Sequence, residues 1–400
     1  MSSAARAAQP SVGRRPDGQL QMIDVAIVEN LEDAAALAAD WDALAVQQGL
    51  PLCAPGWMLS WWRQMAPHES QLRIVVVRDG AQPIALAPWF VHRSDRSRVD
   101  LRFLGAEISD RVDILCLPGR EDEVRDHLLD AIARMRPRPD LVAFEAVAAR
   151  SQWADRLARG TLRLSRYRNS LLPAPSVSLP DGEPDAWLAG RSSNFRSQMR
   201  RMRRRLDKRG GQVRQVLDPA ERERSIEALL RLHAARWEGR GPSGLAGAGV
   251  RALLHEAAAA LGPERLRLWT AELDGEPISV QLFHAAGGEI KYWNGGWAEE
   301  HADLKPTMLT ILAALEDGIA RGERRLDLGA GAYPYKLRFA DGDDPLTWGG
   351  LIVRNRRLPR TRAELLPRVL RYRAKRAVLA LPEPLTERIR QARSTSSPAE

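Results

Sequence analysis

Along this chain the apolar positions switch between two spacings. Unbroken or alternating apolar runs of four to eight residues mark strands, and recurrence every three to four residues marks helices. The first half predicts a strand at 23–28 and a helix at 31–48, with Asn30 as its N-cap. A Trp-rich helix follows at 55–65, where Trp57 and Trp61 share a face suited to core packing. Strands at 72–78 and 83–91 flank an Asp79-Gly80 turn. Further strands fall at 101–104, 112–117 and 141–146, and helices at 121–135 and 151–158. Prolines at 173, 175, 180 and 184 then break the pattern. The second half predicts strands at 212–217, 265–272, 277–286, 289–294, 325–329 and 346–353. Its helices are 194–209, 219–237, 249–260 and 306–321. Both halves are mixed α/β.

One stretch of the pattern repeats. Leu72, Arg73, Pro83 and Ile84 recur as Leu266, Arg267, Pro277 and Ile278, at a constant offset of 194 residues. Each set spans an Asp-Gly hairpin followed by an apolar strand, the expected trace of two related lobes. The organising segment of the second lobe runs from Leu304 to Phe339. Pro306 opens a helix whose apolar face is Met308, Ile311, Leu312, Leu315 and Ile319, and Gly322 closes it. A short strand carrying Asp327 comes next, then Gly329 and Gly331, then Tyr333, Tyr335, Lys336 and Arg338 crowded together. The run from Leu326 to Gly331 imitates a nucleotide-binding glycine loop. Tyr333 stands where that loop needs a small residue, and too little chain follows for the remaining strand–helix units.

Charge adds a second layer. The net charge is +9, but from Arg191 to Arg209 nine basic residues face one acid, and residues 354–400 hold thirteen against four. The body between these segments is acidic on balance. The 191–209 helix places Phe195, Met199, Met202 and Leu206 on one stripe and arginine on the other faces. It reads either as a docked helix with a solvated face or, with the basic C-terminal tail, as a contact for an anionic membrane surface or RNA. Cys53 and Cys116 supply neither a zinc spacing nor a disulfide framework, so no metal is expected. Residues 1–20 lack the apolar core of a signal peptide and read as a disordered lead-in. No apolar run reaches the roughly 18 residues of a membrane span.

The ordered set of Phe195 to Leu206, Leu232-His233-Ala-Ala-Arg236-Trp237, Asp274-Gly-Glu-Pro-Ile278 and Asp327-x-Gly329 with Tyr335-Lys336 resembles the CelD/BcsL-type acetyltransferases of the GNAT superfamily. The resemblance covers about residues 50–350. It implies an α/β fold of the α+β type, with two tandem GNAT-like lobes, each a mixed, mostly antiparallel sheet flanked by helices. The implied division is a disordered 1–21, lobes at 22–172 and 173–355, and a basic helical tail at 356–400. The implied reaction moves an acyl group from acetyl-CoA or another acyl-CoA to the amine or hydroxyl of a small-molecule or saccharide acceptor. The implied setting is cell-envelope polysaccharide synthesis, in the cytoplasm or at the periphery of the inner membrane. The layout is also similar to Fem-type ligases that use aminoacyl-tRNA. One departure keeps the donor open between these: the 302–308 segment lacks the glycines of the usual pyrophosphate loop. A non-catalytic accessory role in an envelope-polymer complex is the third alternative.

The resemblance puts Tyr335 where a tyrosine protonates a departing thiolate. Asp327 and Lys336 join it as catalytic candidates, Lys336 as a point charge for a phosphate or a developing negative charge. The alternative is a Tyr335/Lys336 pair that merely holds a loop, with Lys336 turned toward Asp327. His233 is the one candidate with a neutral-range pKa, as a base or as a buried interface histidine. Lys305, Thr307 and Met308 head the helix expected to receive phosphate. Gly295 and Gly296 would let a thioester approach the backbone and offer an N–H to its oxyanion. Arg236, Trp237 and Trp293 complete the candidates as acceptor contacts.

Overall fold

The computed structural model describes residues 11–14, 20–94, 98–238 and 243–379. Three sheets carry the fold. The first is antiparallel and runs Ser11–Arg14, Leu20–Val28, Ile74–Asp79, Gln82–Ala87, Leu115–Cys116. The second runs Leu164–Leu172, Leu346–Val353, Leu141–Ala148, Val99–Phe103, Trp89–Arg93, Gln71–Leu72. The third runs Gln212–Val216, Leu266–Leu273, Glu276–Ala286, Glu289–Trp297, Arg325–Asp327, Pro175–Ser178, Gly342–Asp343. Pairing is antiparallel except at one contact in each of the last two sheets. This is the mixed, mostly antiparallel, helix-flanked architecture that the sequence predicts.

The two repeated hairpins match more closely than their sequences. Each carries a register shift at the same point, between Val77 and Arg78 in one and between Ala271 and Glu272 in the other. Bulges bend a strand locally and re-aim its side chains. The same bend at the same offset fits two related lobes.

The lobes exchange strands, which corrects the expected division. Leu346–Val353 belongs to the first lobe's sheet, between Leu141–Ala148 and Leu164–Leu172, and not to the second lobe. In return Pro175–Ser178, expected as a lobe boundary, lies between Arg325–Asp327 and Gly342–Asp343 in the second lobe's sheet. Leu164–Leu172 was not expected as a strand. Its apolar positions are broken by Arg166, Arg168 and Asn169, a composition suited to an edge, and it is an edge strand here. Most of the expected disordered lead-in lies outside the described residues. Its Ser11–Arg14 portion is instead a strand paired with Leu20–Ile23, because the ladder supplies partners for its backbone.

Packing follows the exchange. One core cluster starts at Trp41, Trp57, Trp61 and Trp89 and continues through Leu254, Leu268 and Leu282 of the second lobe. The Trp57/Trp61 pair is core packing, as its spacing predicted, and Trp57 Nε1 donates to Ser109 Oγ at 2.7 Å. A second cluster joins Trp187, Phe195 and Met199 to Phe283, Ile311, Leu312 and Phe339. The basic helix Ser193–Lys208 therefore docks by its stripe, with Phe195, Met199, Met202 and Leu206 all buried. The C-terminal helix Leu358–Leu379 packs on the first lobe, where Leu365 meets Leu141 and Ile352. The rest of the expected tail, residues 380–400, lies outside the described residues.

A fragment of residues 20–172 lacks the strand that pairs with both Leu141–Ala148 and Leu164–Leu172. It is expected to show no cooperative thermal transition by calorimetry, whereas the full chain should. A fragment melting as sharply as the full chain would refute the exchange.

A candidate active site where two strands part

Glu289–Trp297 and Arg325–Asp327 run parallel only from Glu289 to Lys291. Two local features then separate them. In the first strand, Trp293 is an extra residue between the Phe283–Tyr292 and Leu282–Asn294 partners. In the second chain, Gly329 and Gly331 adopt φ of 78° and 94°, turning it out of the sheet. The helix Pro306–Ala320 begins at this opening, and the short helix Pro334–Leu337 brings Tyr335 to it. Between them lies a cavity of about 230 Å³, lined among others by Arg236, Gln281, Tyr292, Gly295, Trp297, Lys305, Thr307, Met308 and Tyr335.

Two properties give this cavity chemistry. First, the Pro306 helix has no side-chain cap, and Lys305 enters it in the left-handed region at φ 48°. Pro306 has no N–H and the Met308 N–H donates to Lys305 O at 2.9 Å, so the Thr307 N–H and the helix dipole are what suit an anion. Second, a hydrogen-bonded chain crosses the wall. The hydroxyls of Tyr335 and Tyr292 are bonded to each other. Tyr292 donates to Gln281 Oε1 at 2.8 Å, and Gln281 Nε2 donates to Ser279 Oγ at 2.9 Å and to Gly296 O at 3.3 Å. Burial raises the Tyr335 phenol above its ordinary pKa, so it is a protonated donor at neutral pH.

The structure thus gathers Tyr335, Lys305, Thr307, Met308, Gly295 and Arg236, and the Arg236 guanidinium lies 5.4 Å from the Trp297 ring centroid. It does not bring Asp327, Lys336, His233, Gly296, Trp237 or Trp293 onto the cavity wall. His233 is buried behind it, with Nδ1 2.9 Å from Ser243 Oγ and its ring stacked on Trp237. Burial and the Arg236 charge push His233 down to about 4, so its imidazole is neutral. Trp237 is 38% exposed on the outside. Trp293 turns to the first lobe, donating to Ile108 O at 2.7 Å beside Trp57.

The glycines correct a further expectation. The Gly295 N–H is taken by Asn294 Oδ1 at 2.8 Å, so it is no free oxyanion donor here. A Cβ at Gly295 would stand 1.9 Å from Gln281 Oε1, and one at Gly296 would stand 2.6 Å from the His233 backbone N. The two glycines leave room for the buried glutamine and for close helix packing.

Asp327 serves the frame. Arg111 of the first lobe donates to its Oδ2 at 2.6 Å, Lys291 to its Oδ1 at 3.1 Å, and the Gly329 N–H to Oδ1 at 2.7 Å. Burial opposes ionisation, yet Lys291 and Arg111 hold the carboxyl well below the usual carboxylate range. Lys336 does not pair with it, contrary to expectation. Its Nζ donates to Ala330 O at 2.9 Å and Gly329 O at 3.3 Å, and sits 5.2 Å from the Tyr333 ring centroid. Burial and the neighbouring Lys291 push Lys336 down to about 8. Sequence reasoning missed Tyr292, Gln281, Lys291 and Arg111. The available signal was a polar residue inside an otherwise apolar strand, as in Ser279-Val-Gln281-Leu-Phe283.

Residues 193–337 match the family described as acetyltransferase (GNAT) domain. That match lies within the second lobe. Among solved structures, FemX superposes with a TM-score of 0.60 at 13% identity, over 81% of this chain and 98% of that one. The C-terminal domain of a putative lysylphosphatidylglycerol synthetase from Agrobacterium fabrum gives 0.52 at 11%, over 79% and 92%. A conserved protein of unknown function from Bacteroides thetaiotaomicron gives 0.50 at 12%, over 82% and 99%. These likenesses are likenesses of fold. No curated protein matches the chain. Among the described residues, no group of His, Cys, Asp or Glu is placed to hold a metal, and no helix is long and apolar enough to cross a membrane.

Breaking a buried ion pair typically costs about 3–5 kcal/mol, whereas a lost hydrogen bond from a charged group costs about 1.5–3 kcal/mol. Lys291→Met is therefore expected to lower unfolding free energy more than Lys336→Met in urea titrations at pH 7. The Asp327 share of stability is complete above the ordinary carboxylate range and is lost as pH falls below it. Equal costs for the two lysine variants would return Lys336 to Asp327.

Proposed function

We propose that the parted strands and the Pro306 helix receive acyl-CoA, and that the chain transfers the acyl group to an amine or hydroxyl. The observation that carries this is the meeting of an uncapped helix N-terminus with a half-buried, protonated tyrosine across one cavity. The pyrophosphate takes the Thr307 N–H at the positive end of the helix dipole, helped by Lys305 and the Thr307 hydroxyl. Such a site works without the usual glycines through the helix dipole, the Thr307 N–H and the Lys305 charge, none of which depends on a glycine in the preceding loop. The thioester then lies along the exposed edge of Glu289–Trp297. The acceptor nitrogen or oxygen attacks the thioester carbon, the new bond forms as C–S breaks, and the thiolate takes the Tyr335 proton. The acceptor loses one proton to solvent and Tyr335 regains one from solvent, so the turnover leaves the tyrosine protonated again. Arg236, with its fixed positive charge on the wall, is the contact we assign to the developing oxyanion or to the acceptor.

The acceptor class rests on the motif resemblance to CelD/BcsL-type acetyltransferases, which points to a saccharide or other envelope-related molecule on the cytoplasmic side. A second reading, with an aminoacyl group carried on tRNA, is favoured by one feature. The arginine-rich helix Ser193–Lys208 packs beside the Pro306 helix, and Arg203 reaches Glu316 on it at 2.8 Å. Filter binding of charged tRNA separates the two readings. Full cellular activity of Tyr335→Phe would favour the third, non-catalytic reading.

Tyr335→Phe is expected to lower turnover about 10²–10⁴-fold with unchanged acetyl-CoA affinity, the usual range for a general acid. Isothermal titration and steady-state kinetics read the two effects separately. No binding of acetyl-CoA or longer acyl-CoAs would refute the CoA reading.

Lys305→Gln is expected to weaken acyl-CoA binding while leaving the rate at saturating donor near wild type, since it touches phosphate and not the reacting carbon. A fall in turnover at unchanged affinity would remove Lys305 from the phosphate site.

A further inference from the structure

The C-terminal helix Leu358–Leu379 is apolar on two opposite faces. Its inner face, with Thr361 and Leu365 buried and Leu358, Val369 and Tyr372 half-buried, packs on the first lobe. Its outer face carries Ala363, Leu366, Pro367, Leu370, Ala374 and Ala377, all exposed. These positions follow helical spacing and form a single stripe along the helix. Leu366 is 51% and Leu370 52% exposed, so none of the described residues covers them.

Arginines border that stripe on both sides. Arg362 and Arg373 project along one edge, Arg360 and Arg371 along the other. The helix has seven basic residues against one acid, Glu364. That acid is spent inward, bonded to Arg98 at 3.0 Å and to Arg360 at 3.1 Å, and its side chain is only 8% exposed. Arg362 donates to Ser165 Oγ and Arg371 to Pro367 O, so neither is neutralised by these contacts. An apolar ridge between two cationic rows is the pattern of a helix lying in the plane of a lipid interface.

We propose that this outer face seats on an anionic membrane surface, with Leu366 and Leu370 entering the interface and the bordering arginines at lipid phosphates. The charge pattern selects this occupant over others. A second copy docked face to face would set arginine rows against arginine rows. RNA would gain nothing from the exposed leucines. The contrast with Ser193–Lys208 is informative: that helix is as basic, but its apolar stripe is buried, so it offers charge alone. The proposal does not depend on which donor the cavity takes.

The full chain should co-sediment with vesicles of about 30% phosphatidylglycerol in phosphatidylcholine, weakly with pure phosphatidylcholine, and less as salt rises. Leu366→Ser with Leu370→Ser keeps every charge and should weaken partition at least about tenfold, with an unchanged melting temperature. Arg362→Gln with Arg373→Gln should weaken it and flatten the salt dependence. Absence of vesicle binding would overturn the proposal, as would binding indifferent to the serine pair. A dimer seen by light scattering and abolished by that pair would also overturn it, assigning the face to a second copy. Tight RNA binding that competes with vesicles and ignores the serine pair would assign the charge to nucleic acid instead.

Discussion

The carboxylate of Asp327 lies between the two lobes with Arg111 on one oxygen and Lys291 and an amide on the other. A buried charge is tolerated only with such company, so its position fixes three chain segments at once. Arg111 brings the first lobe, where Asp344 also holds it at 2.6 Å. Lys291 brings the last residue of Glu289–Trp297 that still runs parallel to its neighbour. The Gly329 amide starts the turn that carries the chain out of the sheet. The parting of the strands, and with it the cavity, begins at the residue whose side chain locks the frame. Lys336 secures the next step, because its ammonium holds the carbonyls of Gly329 and Ala330 one residue after Tyr335 enters the cavity.

Local chemistry was legible in the sequence wherever a local rule governs. The stripe of Ser193–Lys208, the Pro306 start, the Asp-Gly hairpins and the tryptophan core all obey spacing rules and all stand in the structure. Strand partnership was not legible. A period of two marks Leu346–Val353 as a strand but is silent on which sheet receives it, and the exchange is set by long-range pairing. The same limit hid the partner of Asp327. Lys336 is nine residues away in sequence and Lys291 thirty-six, and only the parallel register puts Lys291 opposite Asp327.

The site residues show a related asymmetry. Tyr335, Lys305, Thr307 and Met308 lie on the segment 304–339, where helix start and strand end are both readable, and they meet at one cavity. His233, Trp237 and Trp293 were chosen for residue type, and type alone carries no direction. On a helix, His233 and Arg236 are three apart and face different neighbours: Arg236 reaches the cavity and His233 reaches Ser243. On a strand, the extra residue at Trp293 resets the alternation, so the indole turns to the first lobe while Tyr292 turns to Gln281. Gln281 was invisible as a site residue because a lone glutamine in a strand looks like a sheet-face polar residue until its partners are known.

The same bulge ties the frame to the chemistry. Tyr292 precedes the extra residue and keeps its place opposite Phe283, bonded to Tyr335 and Gln281. The extra residue then brings Gly295 instead of Asn294 opposite Gln281, so close that any side chain is excluded. Tyr335 is then oriented by a chain whose last link, Gln281, is 1% exposed and bonded through both its oxygen and its nitrogen. Burial keeps the phenol protonated, the Tyr292 hydrogen bond opposes that rise, and the fixed orientation serves proton transfer to a leaving group. The frame fixed at Asp327 sets where the strands part, and the bulge sets which side chains line the gap.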